Sequence, residues 1–128
     1  MNYYFEKQTN YDFDIAVKRI KEELKKEGFG ILAEIDMQKT LKEKLDVEFT
    51  QYKILEACNP PFAYKSLQAE NNIGILLPCN IVIREKQDGS VVVAVVNPVS
   101  AMISVANSEM KDIAAEIQLR LKRALNNL

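Results

Sequence analysis

The feature that most constrains this chain is a pair of apolar stretches around a tight turn. "IGILLPCNIVIREK", from Ile73 to Lys86, leads into "QDGS". "VVVAVV", from Val91 to Val96, follows directly. Asp88–Gly89 at the tip is the strongest short-range signal for a hairpin, because glycine supplies the positive φ such turns require. Two β-rich arms joined this way must pair antiparallel. The chain therefore contains a sheet that is at least partly antiparallel. Pro78 breaks the first arm and cannot donate to a ladder, so it belongs at a strand start, an edge or a bulge.

Helical spacing dominates elsewhere. Phe13, Val17, Ile20 and Leu24 recur with charges between them, and Gly28 marks the end of that helix. Asn10 is its expected cap. Met110, Ile113, Ile117, Leu121 and Leu125 form a second such stripe, opened by Asn107 or Ser108. "YYFEKQ", Tyr3 to Gln8, reads as a first strand. "GILAEID", Gly30 to Asp36, reads as a short buried strand, and Asp36 as the cap of a brief helix with Met37, Leu41 and Leu45 inward. "EFTQYKILEA", Glu48 to Ala57, is a third strand. Asn59 then caps a helix with Pro60 at its first position, where a missing N–H costs nothing; Ala63 and Leu67 face inward. Asn97–Pro98 stops the last strand and opens a short helical turn. The expected order is β-α-β-α-β-α-β-β-α, which places the chain in the α+β class.

At 128 residues the chain is expected to form one domain, residues 1–128, large enough to fold without disulfide staples. The net charge of −1 gives no general attraction to nucleic acid or anionic lipid. No apolar run is long enough to span a bilayer, and "MNYYFEKQTN" lacks the pattern of an export signal. The expectation is a cytoplasmic protein with reduced thiols. Histidine is absent, which excludes Ser–His–Asp and Cys–His catalysis within one chain. A binding role is expected ahead of an enzymatic one.

Neither "VVVAVV" nor "IGILL" alternates apolar with polar residues, as a strand wet on one face should. Both faces of that part of the sheet are expected to be covered, by helices on both sides, by a second subunit or by a ligand.

The chemistry-bearing residues concentrate between Leu55 and Asn80. This stretch holds both cysteines, Cys58 and Cys79, each followed by an asparagine, Asn59 and Asn80. Cys58 precedes a helix N-terminus, whose partial positive charge favours a thiolate. Such a thiol could serve as nucleophile, redox centre or soft-metal ligand; zinc is the natural candidate for Cys58 and Cys79, with further ligands from carboxylates or a second chain. Buried, inert cysteines packing as small hydrophobes are the plainer alternative. Secondary candidates are Glu34 and Asp36, two apart on one strand, and Glu56, two residues before Cys58, with Lys65, which could pair with Glu56 or lower the Cys58 pKa. For Asp36 a cap and for Lys65 a solvated surface position are the plainer readings. Arg120, Lys122 and Arg123 suit the last turns of a helix better than a nucleic-acid patch. Gly28 and Gly30 alone do not make a phosphate-binding loop.

"ACNPPFAYKSL" followed by "IGILLPCNIVI" resembles the core of the domain of unknown function 302 family. The residues that carry it are Cys58, Asn59, Pro60, Ala63 and Leu67, then Gly74, Leu76, Leu77, Pro78, Cys79 and Val82, then Asn97–Pro98; "AEID" is also similar. The resemblance spans nearly the whole chain. It implies a TBP-like α+β fold, with helices on one face of a single curved, mainly antiparallel sheet. It also implies a homodimer that covers the apolar sheet face, and it implies no settled activity. Three roles follow as expectations: a dimeric module binding a small ligand or metal near Cys58, Asn59, Cys79 and Asn80; a structural dimer that holds a partner protein; and a thiol-dependent redox protein.

Overall fold

The computed structural model describes residues 2–128. Five strands form one antiparallel sheet in the order β1-β5-β4-β3-β2. They are β1 (Tyr4–Thr9), β2 (Gly30–Asp36), β3 (Tyr52–Cys58), β4 (Cys79–Glu85) and β5 (Val91–Val96). The helices are α1 (Phe13–Lys26), α2 (Met37–Leu45), α3 (Pro60–Ala69), the one-turn α4 (Pro98–Ala101) and α5 (Ser108–Asn126). The α+β class and the expected order of elements hold. No helix is long and apolar enough to cross a membrane among the described residues.

The hairpin forms where Asp88–Gly89 demanded it. Gly89 has φ +85°, Lys86 N–H donates to the Ser90 carbonyl at 2.8 Å, and Asp88 Oδ1 accepts from Ser90 N–H. Cross-strand register then assigns every side chain to a face, since successive residues alternate and paired residues share a side. Leu55 and Ala57 of β3, Cys79, Ile81 and Ile83 of β4, and Val91, Val93 and Val95 of β5 share one face, and all are buried. Against this face pack the apolar stripes of α1 (Phe13, Val17, Ile20, Leu24) and α5 (Met110, Ile113, Ile117, Leu121, Leu125), all buried. These stripes are the helical faces read from the sequence. Burying each such side chain stabilises the fold by roughly 1.5–3 kcal/mol.

The other face has no such cover. One row across it runs Glu6–Ala94–Val82–Ile54–Ile35, and its apolar members are only half-buried. Within "VVVAVV" the central Val92 and Val93 therefore point to opposite sides.

Several expectations change. "IGILL" is not part of the sheet. Ile73–Leu76 form a 3-10 turn with only Ile73 buried, and Ile75 is 84% exposed. Its lack of alternation reflects a loop, so it says nothing about cover on the sheet. β2 is an edge strand, mostly exposed, with a register shift between Ile31 and Ala33 that leaves Leu32 outside the ladder. Met37, Leu41 and Leu45 do not enter the core: α2 buries no residue, because it follows an edge strand and has no layer above it. Residues 48–51 precede β3 without joining it. The α1 cap is Asp12 rather than Asn10, and its side chain makes no capping bond. Asp36 does cap α2, accepting from Lys39 N–H at 3.0 Å. Asn107 caps α5, accepting from Glu109 N–H at 3.0 Å and Met110 N–H at 3.3 Å.

Candidate functional site

The two cysteine motifs meet at the end of the sheet where β3 leaves for α3 and β4 begins. Cys79 opens β4 directly opposite Ala57, one residue before Cys58. The Leu77–Pro78 peptide ahead of it is cis. Cys58, Asn59 and Cys79 line a pocket of about 290 Å³ together with Phe29, Ala63, Leu67, Leu77 and Pro78. Ala63 and Leu67 of α3 thus face this pocket and not the main core; Ser66, on the same helix, is the residue it buries, with its hydroxyl donating to the Phe62 carbonyl at 2.7 Å. The lining is almost wholly apolar, which suits an apolar molecule and offers little to a charged one.

Both thiols are free; Cys58 is half-buried and Cys79 is buried. Burial first, and the neighbouring Cys58 second, push the Cys79 thiol up to about 11. Removal from water disfavours a thiolate. Cys79 is therefore a protonated, poorly nucleophilic thiol at neutral pH. Among the described residues no three His, Cys, Asp or Glu side chains gather to hold a metal ion. The two sulfurs alone fall short of the four ligands a structural zinc takes.

Asn59 is at the α3 cap position but its side chain makes no capping bond. Its Nδ2 donates to the Glu27 carbonyl at 3.1 Å, beyond the end of α1. Gly28, next in sequence, has φ +90°, and a Cβ there would lie 3.1 Å from Asn59 Nδ2. Glycine is needed at that turn for its backbone and for the asparagine's approach. Asn59 is thus the tether that fixes α1 to the start of α3 and forms one wall of the pocket.

Asn80 does not join this pocket. One residue beyond Cys79, it points to the opposite face by strand alternation and is exposed. There it lines a second concavity of about 380 Å³ with Tyr3, Tyr4, Glu6, Tyr52, Val82 and Arg84. Glu56 is on this face as well, opposite Asn80. The tyrosines and Arg84 carried no spacing signal in the sequence, because they come from strands that meet only through the sheet order.

The remaining candidates are held in other contacts. Glu34 accepts from Lys21 at 2.6 Å and Lys53 at 2.9 Å, and these two ammonium groups hold its carboxyl below the usual range. Asp36 is the α2 cap. Lys65 makes no ion pair among the described residues; its Nζ is 5.5 Å from the centre of the Phe62 ring. Arg120 bonds Glu116 at 3.0 Å and the Glu27 carbonyl at 3.2 Å, and Arg123 bonds the Glu27 carboxylate at 2.8 Å. Lys122 Nζ is 4.8 Å from the centre of the Phe5 ring. This basic cluster thus joins α5 to the rest of the fold.

No curated protein matches the chain. Among solved structures it is similar to one described as an uncharacterized conserved protein DUF302 from Bacillus stearothermophilus, with 29% identity, a TM-score of 0.91 and coverage of 98% of each chain. The profile of the family described as "Domain of unknown function DUF302" matches residues 5–128. A match over nearly the full length, on the cysteine motifs and the strands that carry them, shows that the chain belongs to the DUF302 family.

Proposed function

We propose that this protein is a small-molecule binding module, and that the pocket beside Cys58, Asn59 and Cys79 takes an uncharged, mainly apolar ligand. The observation that carries this reading is the convergence of two separate Cys–Asn strand ends on one apolar pocket of about 290 Å³. That volume is at the lower bound of common ligand sites, roughly 300 Å³. The apolar lining favours an organic ligand over zinc, the other occupant expected from the cysteines. The raised pKa of Cys79 weighs against thiol redox chemistry.

The working unit is a homodimer formed through the open sheet face. Support comes from the half-exposed Ile54 and Ile35 beside exposed Ala33, on the β2–β3 half of that face. Glu56 borders this patch on the same half of the face, and a two-fold contact sets the same patch on both subunits. Free thiols suit a cytoplasmic setting.

Thermal-shift screening with small apolar compounds tests the pocket. Binding compounds should raise the melting temperature of the native chain, and Ala63→Phe, which fills the pocket, should abolish the shift. If no compound raises it and both thiols resist alkylation in the folded protein, the reading fails. Sedimentation velocity tests the dimer: the native chain should sediment as a dimer and Ile54→Lys as a monomer.

Exposed Leu32 (66%) and Ile75 (84%), on the bulge after Ile31 and the turn before Pro78, favour a second reading, in which this end holds a partner protein. Pull-down with native and Ile75→Lys chains decides it: capture that persists in the variant sinks the idea.

A further inference from the structure

The chain has four arginines, and three are fully engaged within the fold. Arg19 bonds Glu22 at 2.8 Å and Glu23 at 3.0 Å, while Arg120 and Arg123 bond Glu116 and Glu27. Arg84 differs. Its one polar side-chain contact among the described residues is a long approach to Glu6 at 3.4 Å. It stands on the open sheet face, four residues after Asn80 and on the same side. The Asn80 amide and the hydroxyls of Tyr4 and Tyr52 make no hydrogen bond among the described residues. All four groups line the same concavity of about 380 Å³, over a floor that includes Val82 and Ala94.

We infer that this concavity is a second binding site, separate from the cysteine pocket, and that it takes a small aromatic monocarboxylate. A guanidinium presents a planar fork of donors that matches a carboxylate. The Asn80 amide adds a neutral donor to the lining. Val82 and Ala94 offer a flat apolar floor. Tyr4 and Tyr52, half-buried at opposite corners, offer aromatic walls against which a ring packs edge or face on. The charge of the ligand follows from Glu6. With one carboxylate beside one guanidinium the site is close to neutral, so it attracts a monoanion weakly and a phosphate dianion poorly. Glu6 also competes with the ligand for Arg84. The site spans β1, β5, β4 and the start of β3, beside the Ile54–Ile35 patch proposed for the dimer.

Calorimetric titration of the native chain with 2-naphthoate, and with 2-naphthamide as its neutral counterpart, tests the assignment. The acid should bind at least tenfold more tightly than the amide. Arg84→Gln should weaken the acid at least tenfold and leave the amide within twofold. Glu6→Gln should tighten the acid severalfold, because it frees Arg84. Circular dichroism checks each variant's fold, and the Glu6→Gln arm decides if Arg84→Gln does not fold. Equal affinity for acid and amide, no saturable binding, or weaker binding by Glu6→Gln would overturn the inference. Loss of binding on Ala63→Phe with Arg84→Gln unchanged would move the acid to the cysteine pocket and overturn it equally.

Discussion

Val92 and Val93 are neighbours of the same residue type, yet they belong to different environments. Val93 is wholly buried beneath α1 and α5; Val92 is buried as well, at 4% exposure, but on the open side, where Arg84 and Gln8 flank it on the neighbouring strands. The same division runs along β4, where Cys79, Ile81 and Ile83 alternate with Asn80, Val82 and Arg84. One face is closed by two amphipathic helices and holds the fold together. The other carries half-exposed valine, isoleucine and tyrosine among a few charges, and is available for contact. Stability is concentrated on the first face, and the proposed binding sites are on the second and at the sheet's end.

The sharpest way to break this comparison is to place a charge on each side. Val93→Lys buries an unpaired ammonium and should cost about 4 kcal/mol or more, enough to unfold most of the protein. Ile54→Lys, half-exposed on the open face, should cost about 1 kcal/mol and act on self-association instead. Urea denaturation of the two variants reads the difference; similar midpoints would show that the open face is as essential to folding as the closed one.

A second test uses the only thiol on the closed face. Cys79 has a pKa raised from its ordinary value of 9.0 to about 11 in the folded chain. Between those values the folded state holds a proton that the unfolded state has lost. The stabilisation is therefore complete below pH 9 and declines as pH rises toward 11, by an amount on the order of 2 kcal/mol. Cys79→Ala should flatten this part of the stability–pH curve. An unchanged slope in the variant would show that Cys79 is not held in a dry environment.

Asn59 stands at the end of the sheet, just after β3, and Asn59→Ala removes its bond to the Glu27 carbonyl. A loss of about 1 kcal/mol is expected. Hydrogen exchange should localise it to the end of α1 and the start of α3. A global loss without local loosening would contradict the tether.

The smallest effect belongs to the rim of the closed face. Glu34 has its carboxyl pKa lowered by Lys21 and Lys53, so its contribution is present above the ordinary carboxylate value and is lost as pH falls through the lowered one. The group is partly exposed, and Glu34→Gln should cost only about 0.5 kcal/mol at neutral pH. An effect that survives in high salt would argue against an ion-pair origin.

Elements with a local cause could be read directly. The stripes of α1 and α5, the Asp88–Gly89 turn, the Asp36 and Asn107 caps and the Gly28 helix stop each depend on residues within a few positions of one another. The misreadings share a different cause. Met37, Leu41 and Leu45 have helical spacing, but an edge position left them without a layer to pack on. "IGILL" has strand composition, but it became the 3-10 turn that roofs the cysteine pocket. Asn59 sits where a cap belongs, but its amide turned to a carbonyl 32 positions back.

The candidate site divides along the same line. That Cys58 and Cys79 each end or begin a strand was plain from Pro60 and Pro78. That they share a pocket required the β3–β4 ladder, which sets Ala57 against Cys79. That Asn80 leaves them for the other face followed from the pleat, once the strand's start was known. The concavity of Tyr4, Tyr52 and Arg84 could not be read at all, because β1 pairs with β5 across more than 80 residues of chain. Helical spacing and turn chemistry act over one or two helical turns, and there the amino-acid sequence alone determined the outcome. Strand order, the choice of which face stays open and the two pockets arise from long-range pairing, where many alternatives satisfy the same local pattern, and only the tertiary structure decided among them.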